Sequence, residues 1–451
     1  MIRDSQDKEE DEDLQVIPSN YVPPTPKEFT PSTFKEAIQT PDFKKFLGIL
    51  GAAGTIFLLL ITTMMCYALG NLHHSTTKVH NLRMLAVDLD GGAIGAAMIS
   101  GLESAQALTF PRFIVDNTTD HTPESVYHEV FKGNYWGAVY AAENATEQLH
   151  AALGDAQIAA EYDPTTALYY VWNQAHYTSM SNGVIKSSLV SIGTITQRAL
   201  VAMHGRAMFG MVGQDPSDAQ LQVLGTPVDS TEINIQPTPQ LTAFLYNTIC
   251  MVIVILIMFF FMLGTNMIAV ENQIYAKVRP LVSFGTRHGF AFFFGFMYSL
   301  IATGAIWWFR EGWVVNGNQF VLTWMSFWLM MAVNFVFLDC FACFFPPAVF
   351  PIVVLTWIIM NVMSAIVPLP LTPGFYHWST ALPGFNMYNL NTSIWARGAS
   401  PIAYRALPIL FGWLVISLVI NVIGHYKRCE VARKAAGISC VDTRQILREA
   451  M

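Results

Sequence analysis

Three clusters have residue types and spacing that suit chemistry. Leu85-Ala86-Val87-Asp88-Leu89-Asp90-Gly91-Gly92 sets two carboxylates at the end of an apolar run. A D-x-D-G loop after a strand can offer a nucleophilic carboxylate and hold Mg²⁺ for phosphoryl transfer. The remainder of such a site is missing, because no acidic pair follows a suitable second strand and Asp215-Pro216-Ser217-Asp218 lies in an irregular stretch. The motif therefore reads as a strand, a turn and a helix start. His73-His74 and His80 are of a metal-binding type, but no carboxylate is near before Asp88, and interfacial solvation accounts for them. Cys340 and Cys343 have C-x-x-C spacing without a second such pair, which leaves acylation or simple packing beside a weak zinc reading. The phosphate-binding pattern G-x-x-x-x-G-K-[ST] does not occur. The expectation is of no enzyme, no catalytic residues, no metal and no cofactor.

Asp339 is a different case. It follows nineteen apolar residues and is the only carboxylate between Glu311 and Glu430. An ionisable group there is costly unless it meets water, a partner or a bundle interior. Two readings stay open: a cytosolic surface position on a short hairpin, or a polar path between spans lined by Asp339, Asn334 and Asn361. On the second reading, Asp339→Asn is expected to impair function without impairing folding. Asn247, Asn266 and Asn421 add further polar groups suited to joining helices.

The elements that must hold these residues follow from composition. The 451 residues are 53% hydrophobic and 13% charged, about half the charge of a soluble domain. The net charge is −7 and there is no basic stripe, which excludes a nucleic-acid partner. Apolar runs at 46–70, 241–270, 290–309, 320–338, 348–367 and 407–423 are long enough to span a bilayer. The expected fold class is an α-helical integral membrane protein of six transmembrane helices, with an α/β extracytosolic domain inserted between helices 1 and 2. Its parts are an acidic, Pro-rich disordered tail (1–45), the first span (46–70), the α/β domain (71–240), a five-helix membrane domain (241–426) and a basic tail (427–451). Thr25, Thr30 and Thr40, each before a proline, are candidate phosphosites, although a purely solubilising tail explains the composition as well.

Basic residues set the orientation. Six lie in the amino-terminal tail, three in the 271–289 loop and six in the carboxy-terminal tail, against seven spread over 71–240. By the positive-inside rule both termini are cytosolic. The sequons at Asn117, Asn144 and Asn391 then fall outside, as glycosylation candidates. No cysteine lies in 71–240, so that part must hold by packing alone. Within it, strands at 82–88, 113–115, 135–140 and 168–172 alternate with helices at 93–102, 123–132 (Thr122 as cap) and 144–153, the pattern of an α/β layer. A long helix at 179–209 and a Pro-rich return at 215–240 complete it.

Several strings carry a family resemblance. They are Val87-Asp88-Leu89-Asp90-Gly91-Gly92 with its small-residue helix, Gly133-Asn134-Tyr135-Trp136-Gly137-Ala138-Val139-Tyr140, Asn144-Ala145-Thr146-Glu147-Gln148-Leu149, and Tyr376-His377-Trp378 with Ala381-Leu382-Pro383. With the one-plus-five span layout, the chain from about 40 to 430 resembles the fungal nitrosoguanidine-resistance membrane proteins. These resemble in turn the permease half of ABC type exporters of the phage-infection-protein group. The resemblance implies a protein of the plasma membrane or an endomembrane, acting in drug or toxin resistance by permease-like handling of amphipathic small molecules or lipids, and the sequons would make it a glycoprotein. It carries over no catalytic residue. A non-transporting scaffold or regulator of membrane organisation is the alternative. The bilayer, an amphipathic substrate and a homo-oligomeric or membrane-protein partner are the expected partners, the last with the 271–289 loop as one docking place.

Overall fold

The computed structural model describes residues 38, 41–107, 109–116 and 121–437. Thr25, Thr30, Thr40, Asn117 and Cys440 lie outside the described residues. The chain divides into two compact units, residues 1–62 and 63–451. Helix α1, Pro41–Asn71, begins in the first. Its apolar side chains there are largely exposed, Leu58 and Leu59 among them, as suits a helix whose solvent is lipid.

In the second unit, five strands form one sheet: β1 (Arg83–Asp88), β2 (Arg112–Asp116), β3 (Gly137–Ala141), β4 (Leu168–Trp172) and β5 (Ser230–Asn234), in the order β2-β1-β3-β4-β5. Met84, Leu85, Ala86 and Val87 are all buried, so both faces of β1 are covered. Met84 and Ala86 face α2 (Ala93–Ala105), α4 (Ala145–Gly154) and α6 (Ser187–Met211) through Met98, Leu149 and Leu189. Leu85 and Val87 face α3 (Pro123–Phe131) through Val126 and Val130. Thr122 caps α3, its Oγ1 accepting from the Ser125 amide at 3.2 Å, with Pro123 in the first turn.

The strand alternation suggests a parallel sheet, and three of the four pairings are parallel. β4 runs antiparallel to β3. Two helices, α4 and α5 (Ala156–Glu161), separate these strands, and the amide of Ala142 donates to Ala167 at 3.0 Å, so β4 starts beside the end of β3. The Pro-rich return also holds more than irregular chain, namely helix α7 (Asp218–Gly225) and edge strand β5.

Beyond the sheet come α8 (Tyr246–Glu271), α9 (Pro280–Trp308), α10 (Gly317–Phe344), α11 (Phe350–Ile366), α12 (Pro383–Trp395) and α13 (Ala403–Ala435), with a one-turn helix at Ile274–Lys277. Among the described residues six helices are long and apolar enough to cross a membrane: α1, α8, α9, α10, α13, and α11 with the turn before it. The molecule is an integral membrane protein, mostly helical. Two helices run well past the apolar runs that announce them. α9 begins at Pro280, and α13 continues to Ala435, which takes Arg287 and Arg428 out of loop and tail and into helices. α12 is absent from the expected list. Most of its side chains are buried, including Asn386, Asn389 and Asn391.

Candidate functional site

Asp339 lies on α10 and is fully buried. Burying a carboxylate is strongly unfavourable unless its charge and its lone pairs are matched. Here they are. Arg287 of α9 grips it with two prongs, Nη1 to Oδ2 at 3.1 Å and Nη2 to Oδ1 at 3.0 Å. Arg428 of α13 donates to Oδ1 at 3.0 Å, and Asn421, two turns earlier on α13, donates to Oδ2 at 3.1 Å. Asn266 of α8 closes the cluster from the other side. Its Oδ1 accepts from Arg287 at 2.6 Å, Arg428 at 3.2 Å and the Tyr275 hydroxyl at 2.8 Å. The Tyr275 ring lies beneath both guanidinium groups, at 5.6 and 5.1 Å, a favourable cation–π geometry. Burial pushes the Tyr275 phenol up, against the pull of the two arginines. The cluster thus joins four long helices and the one-turn helix at Ile274–Lys277, and holds two positive charges against one negative.

Arg287 is only 7% exposed, and its Nε has no hydrogen-bond partner. Beside it a crevice of about 410 Å³ runs between α8 and α9, lined by Phe261, Ile268, Val278, Phe290 and Phe294, with Thr265, Ser283, Thr286 and Arg287 as its polar members. On the side of α13, the Ser283 hydroxyl is 2.7 Å from His425 Nε2, with Cys429 Sγ 3.5 Å from the same nitrogen. A serine–histidine contact suggests nucleophile activation. The other ring nitrogen of His425 has no partner, so no third group orients the base.

The three residues expected to line one path fall into two places. Asn334 and Asn361 are fully buried and meet through Trp357. Asn334 accepts from the Trp357 indole at 2.8 Å, and Asn361 donates to the Trp357 carbonyl at 2.9 Å while accepting from the Gly384 amide at 2.8 Å. Asp339 belongs to the arginine cluster instead. The reading of Asp339 as an exposed hairpin cap is corrected by its burial. The sequence offered no direct sign of its partners, since Arg287 and Arg428 read as positive-inside anchors. Only the seven-residue spacing of Asn421 and Arg428, one helical face, hinted at a shared partner.

The other candidates take these positions. Asp88 accepts from the amides of Asp90 and Gly91, at 3.0 and 2.9 Å, and Asp90 accepts from the Thr146 amide at 2.8 Å. Both carboxylates thus hold a turn. Gly95 permits this, because a Cβ there would collide with the Asp88 carboxylate. His80 Nδ1 lies 2.8 Å from the Thr77 carbonyl, and the His73 and His74 rings meet edge-on at 4.0 Å. Cys340 donates to the Ser417 carbonyl, and Cys343 lies against Arg428. Among the described residues no three His, Cys, Asp or Glu side chains are grouped to hold a metal. Asn144 is exposed at the start of α4. Asn391 is corrected as a glycosylation candidate: it is 1% exposed within α12, and its Oδ1 accepts from Ser326, so a glycan has no room there.

A second cavity, about 360 Å³, lies between the β3 approach and α12, lined by Lys132, Trp136, His176, Tyr177, Asn389 and Arg405 among others. His176 stacks on Trp136 at 4.6 Å, and Trp136 stands just ahead of β3, not within it.

A family profile described as "Protein of unknown function (DUF3533)" matches residues 53–419. No curated protein and no solved structure matches the chain.

Proposed function

The chain belongs to that family, whose description names no activity, and we propose that it binds and moves amphipathic small molecules or lipids, contributing to resistance against toxic amphiphiles. The observation that carries the reading is the crevice between α8 and α9: an apolar wall of phenylalanines and aliphatic side chains meets a buried arginine. An amphiphile needs both kinds of surface in one place. The resemblance to nitrosoguanidine-resistance proteins and to exporter permeases agrees with it, as does the setting in helices suited to a bilayer.

The accompanying topology has six spans, both termini in the cytosol and the α/β layer on the opposite side, in the plasma membrane or an endomembrane. Lys277, Arg279, Lys427, Arg433 and Lys434 support this orientation once Arg287 and Arg428 are set aside as cluster residues. A second reading, a non-transporting scaffold or regulator, is favoured by one observation: Asp339, Asn334 and Asn361 are fully buried and hydrogen-bonded within the protein. Purified protein in vesicles separates the two. Movement of a labelled amphiphile across the bilayer, measured with and without ATP or a proton gradient, supports the first. No movement by protein that still confers tolerance in cells supports the second.

A further inference from the structure

We propose that the cavity between the β3 approach and α12 binds the phosphate head group of an anionic phospholipid, with Lys132 and Arg405 as its cationic partners. The inference concerns a different place from the crevice between α8 and α9, and holds whether or not the chain moves amphiphiles.

Three observations carry it. The lining of the cavity brings Lys132 and Arg405 together and includes no carboxylate. Both side chains are exposed, so both charges are open to a ligand. Arg405 makes no ion pair among the described residues. Lys132 Nζ comes only to 4.0 Å from Glu129, an exposed contact that contributes little, and Glu129 also takes the Asn134 amide at 2.8 Å. Burial holds the His176 imidazole down at about 4, so it adds no charge at neutral pH. Two cations without a facing carboxylate favour an oxyanion and repel the ammonium of a zwitterionic lipid.

Next comes the level of the cavity in the membrane. α11 ends at Ile366, and the apolar run of α13 starts at Leu407. Leu369, Pro370 and Ile402 of the lining fall just beyond those two ends, where hydrocarbon gives way to head groups. Tyr404, also in the lining, is 81% exposed there, as an interfacial aromatic would be. A lipid phosphate lies at this depth, and its acyl end can bury surface against Leu369, Phe385 and Ile402, from which a free phosphate gains nothing.

Finally, the cavity is clamped on both sides. The Ser400 amide donates to the Phe131 carbonyl at 2.7 Å, and Asn389 donates to the Tyr177 hydroxyl at 3.2 Å. Gly133, at φ +80°, lets the Ser400 loop come close, since a Cβ there would stand 2.9 Å from the Ser400 hydroxyl. These contacts fix a space of about 360 Å³, within the usual range for small-molecule sites.

The test uses the full chain in nanodiscs of phosphatidylcholine carrying a graded fraction of phosphatidylglycerol, with retained lipids counted by native mass spectrometry. The wild type should retain phosphatidylglycerol in preference to phosphatidylcholine. Lys132→Gln with Arg405→Gln should weaken one retained phosphatidylglycerol by about fivefold or more, the effect of at least one basic residue at an anionic surface. Arg405→Gln alone should show part of that loss, and Lys132→Arg with Arg405→Lys should show none. Arg198→Gln with Arg206→Gln removes the same charge from exposed positions outside the lining and should leave retention unchanged. All four positions are exposed, so each variant should keep the wild-type unfolding temperature. Equal retention of the two lipids by the wild type would overturn the proposal, as would equal losses in the two charge-neutralised double variants. Displacement of phosphatidylglycerol by an equal concentration of inorganic phosphate would assign the cavity to a free anion and overturn the lipid assignment.

Discussion

Arg287 and Asp339 sit 52 residues apart in sequence and meet through two parallel hydrogen bonds of 3.1 and 3.0 Å, the arginine 7% exposed and the aspartate not at all. That pairing changes what a substitution at Asp339 means. Asp339→Asn conserves size but leaves Arg287 and Arg428 without their counter-charge. Breaking a buried ion pair from one side typically loses about 3–5 kcal/mol. The variant should therefore show lower solubilised yield and a lower unfolding temperature in detergent. Adding Arg287→Gln should recover part of the loss, a coupling of about 0.5–3 kcal/mol by double-mutant cycle. Additive losses would show that the two residues do not depend on each other.

The sheet offers a second measurement. Trp172 on β4 is fully buried, and its indole donates to Glu232 of β5 at 2.7 Å. Trp172→Ala should destabilise the protein by about 3–5 kcal/mol. Trp136, partly exposed and stacked on His176, should lose less on the same change. Limited proteolysis across a denaturant series ranks the two. A larger loss at Trp136 would contradict the burial pattern.

His176 makes stability depend on pH. Burial pushes its imidazole from 6.5 down to about 4, against a hydrogen bond with Asn389 that acts the other way. Between those values the unfolded chain binds a proton that the folded chain refuses. Stability is thus complete above about pH 6.5 and declines as pH falls towards 4. The unfolding temperature should drop through that window, and His176→Phe, which keeps a ring on Trp136, should flatten the drop. An identical slope in the variant would remove His176 as the cause.

The sequons test the proposed topology. Asn144→Gln should abolish one glycosidase-sensitive step in electrophoretic mobility, because Asn144 is exposed. Asn391→Gln should leave mobility unchanged, since its side chain is buried in α12. No shift for Asn144→Gln would count against placing the α/β layer outside the cytosol.

The strand at 168–172 was legible to the residue, because Leu-Tyr-Tyr-Val-Trp combines aromatic and β-branched side chains between turn signals. The Thr122 cap was legible for a similar local reason. The direction of β4 was not, since it depends on how two successive helices return the chain. β5, Ser-Thr-Glu-Ile-Asn, escaped notice because a polar edge strand carries little hydrophobic signal. Asp339 was found as costly, yet its partners were not. Apolar runs mark where hydrocarbon is crossed, but a helix can extend beyond the run, as α9 and α13 do, and bury the charges that ended it.

The buried α12 constrains the order of biogenesis. Thirteen residues make a helix of about 20 Å, too short for the hydrocarbon core, and its asparagines would resist release into lipid on their own. Its anchors come from elsewhere: Gln319 and Ser326 of α10, Asn361 of α11 and Tyr177 beside the sheet. The translocation machinery cannot hand this segment over as a span. All four anchors precede it in the chain, so it can dock against elements already made instead of entering lipid alone.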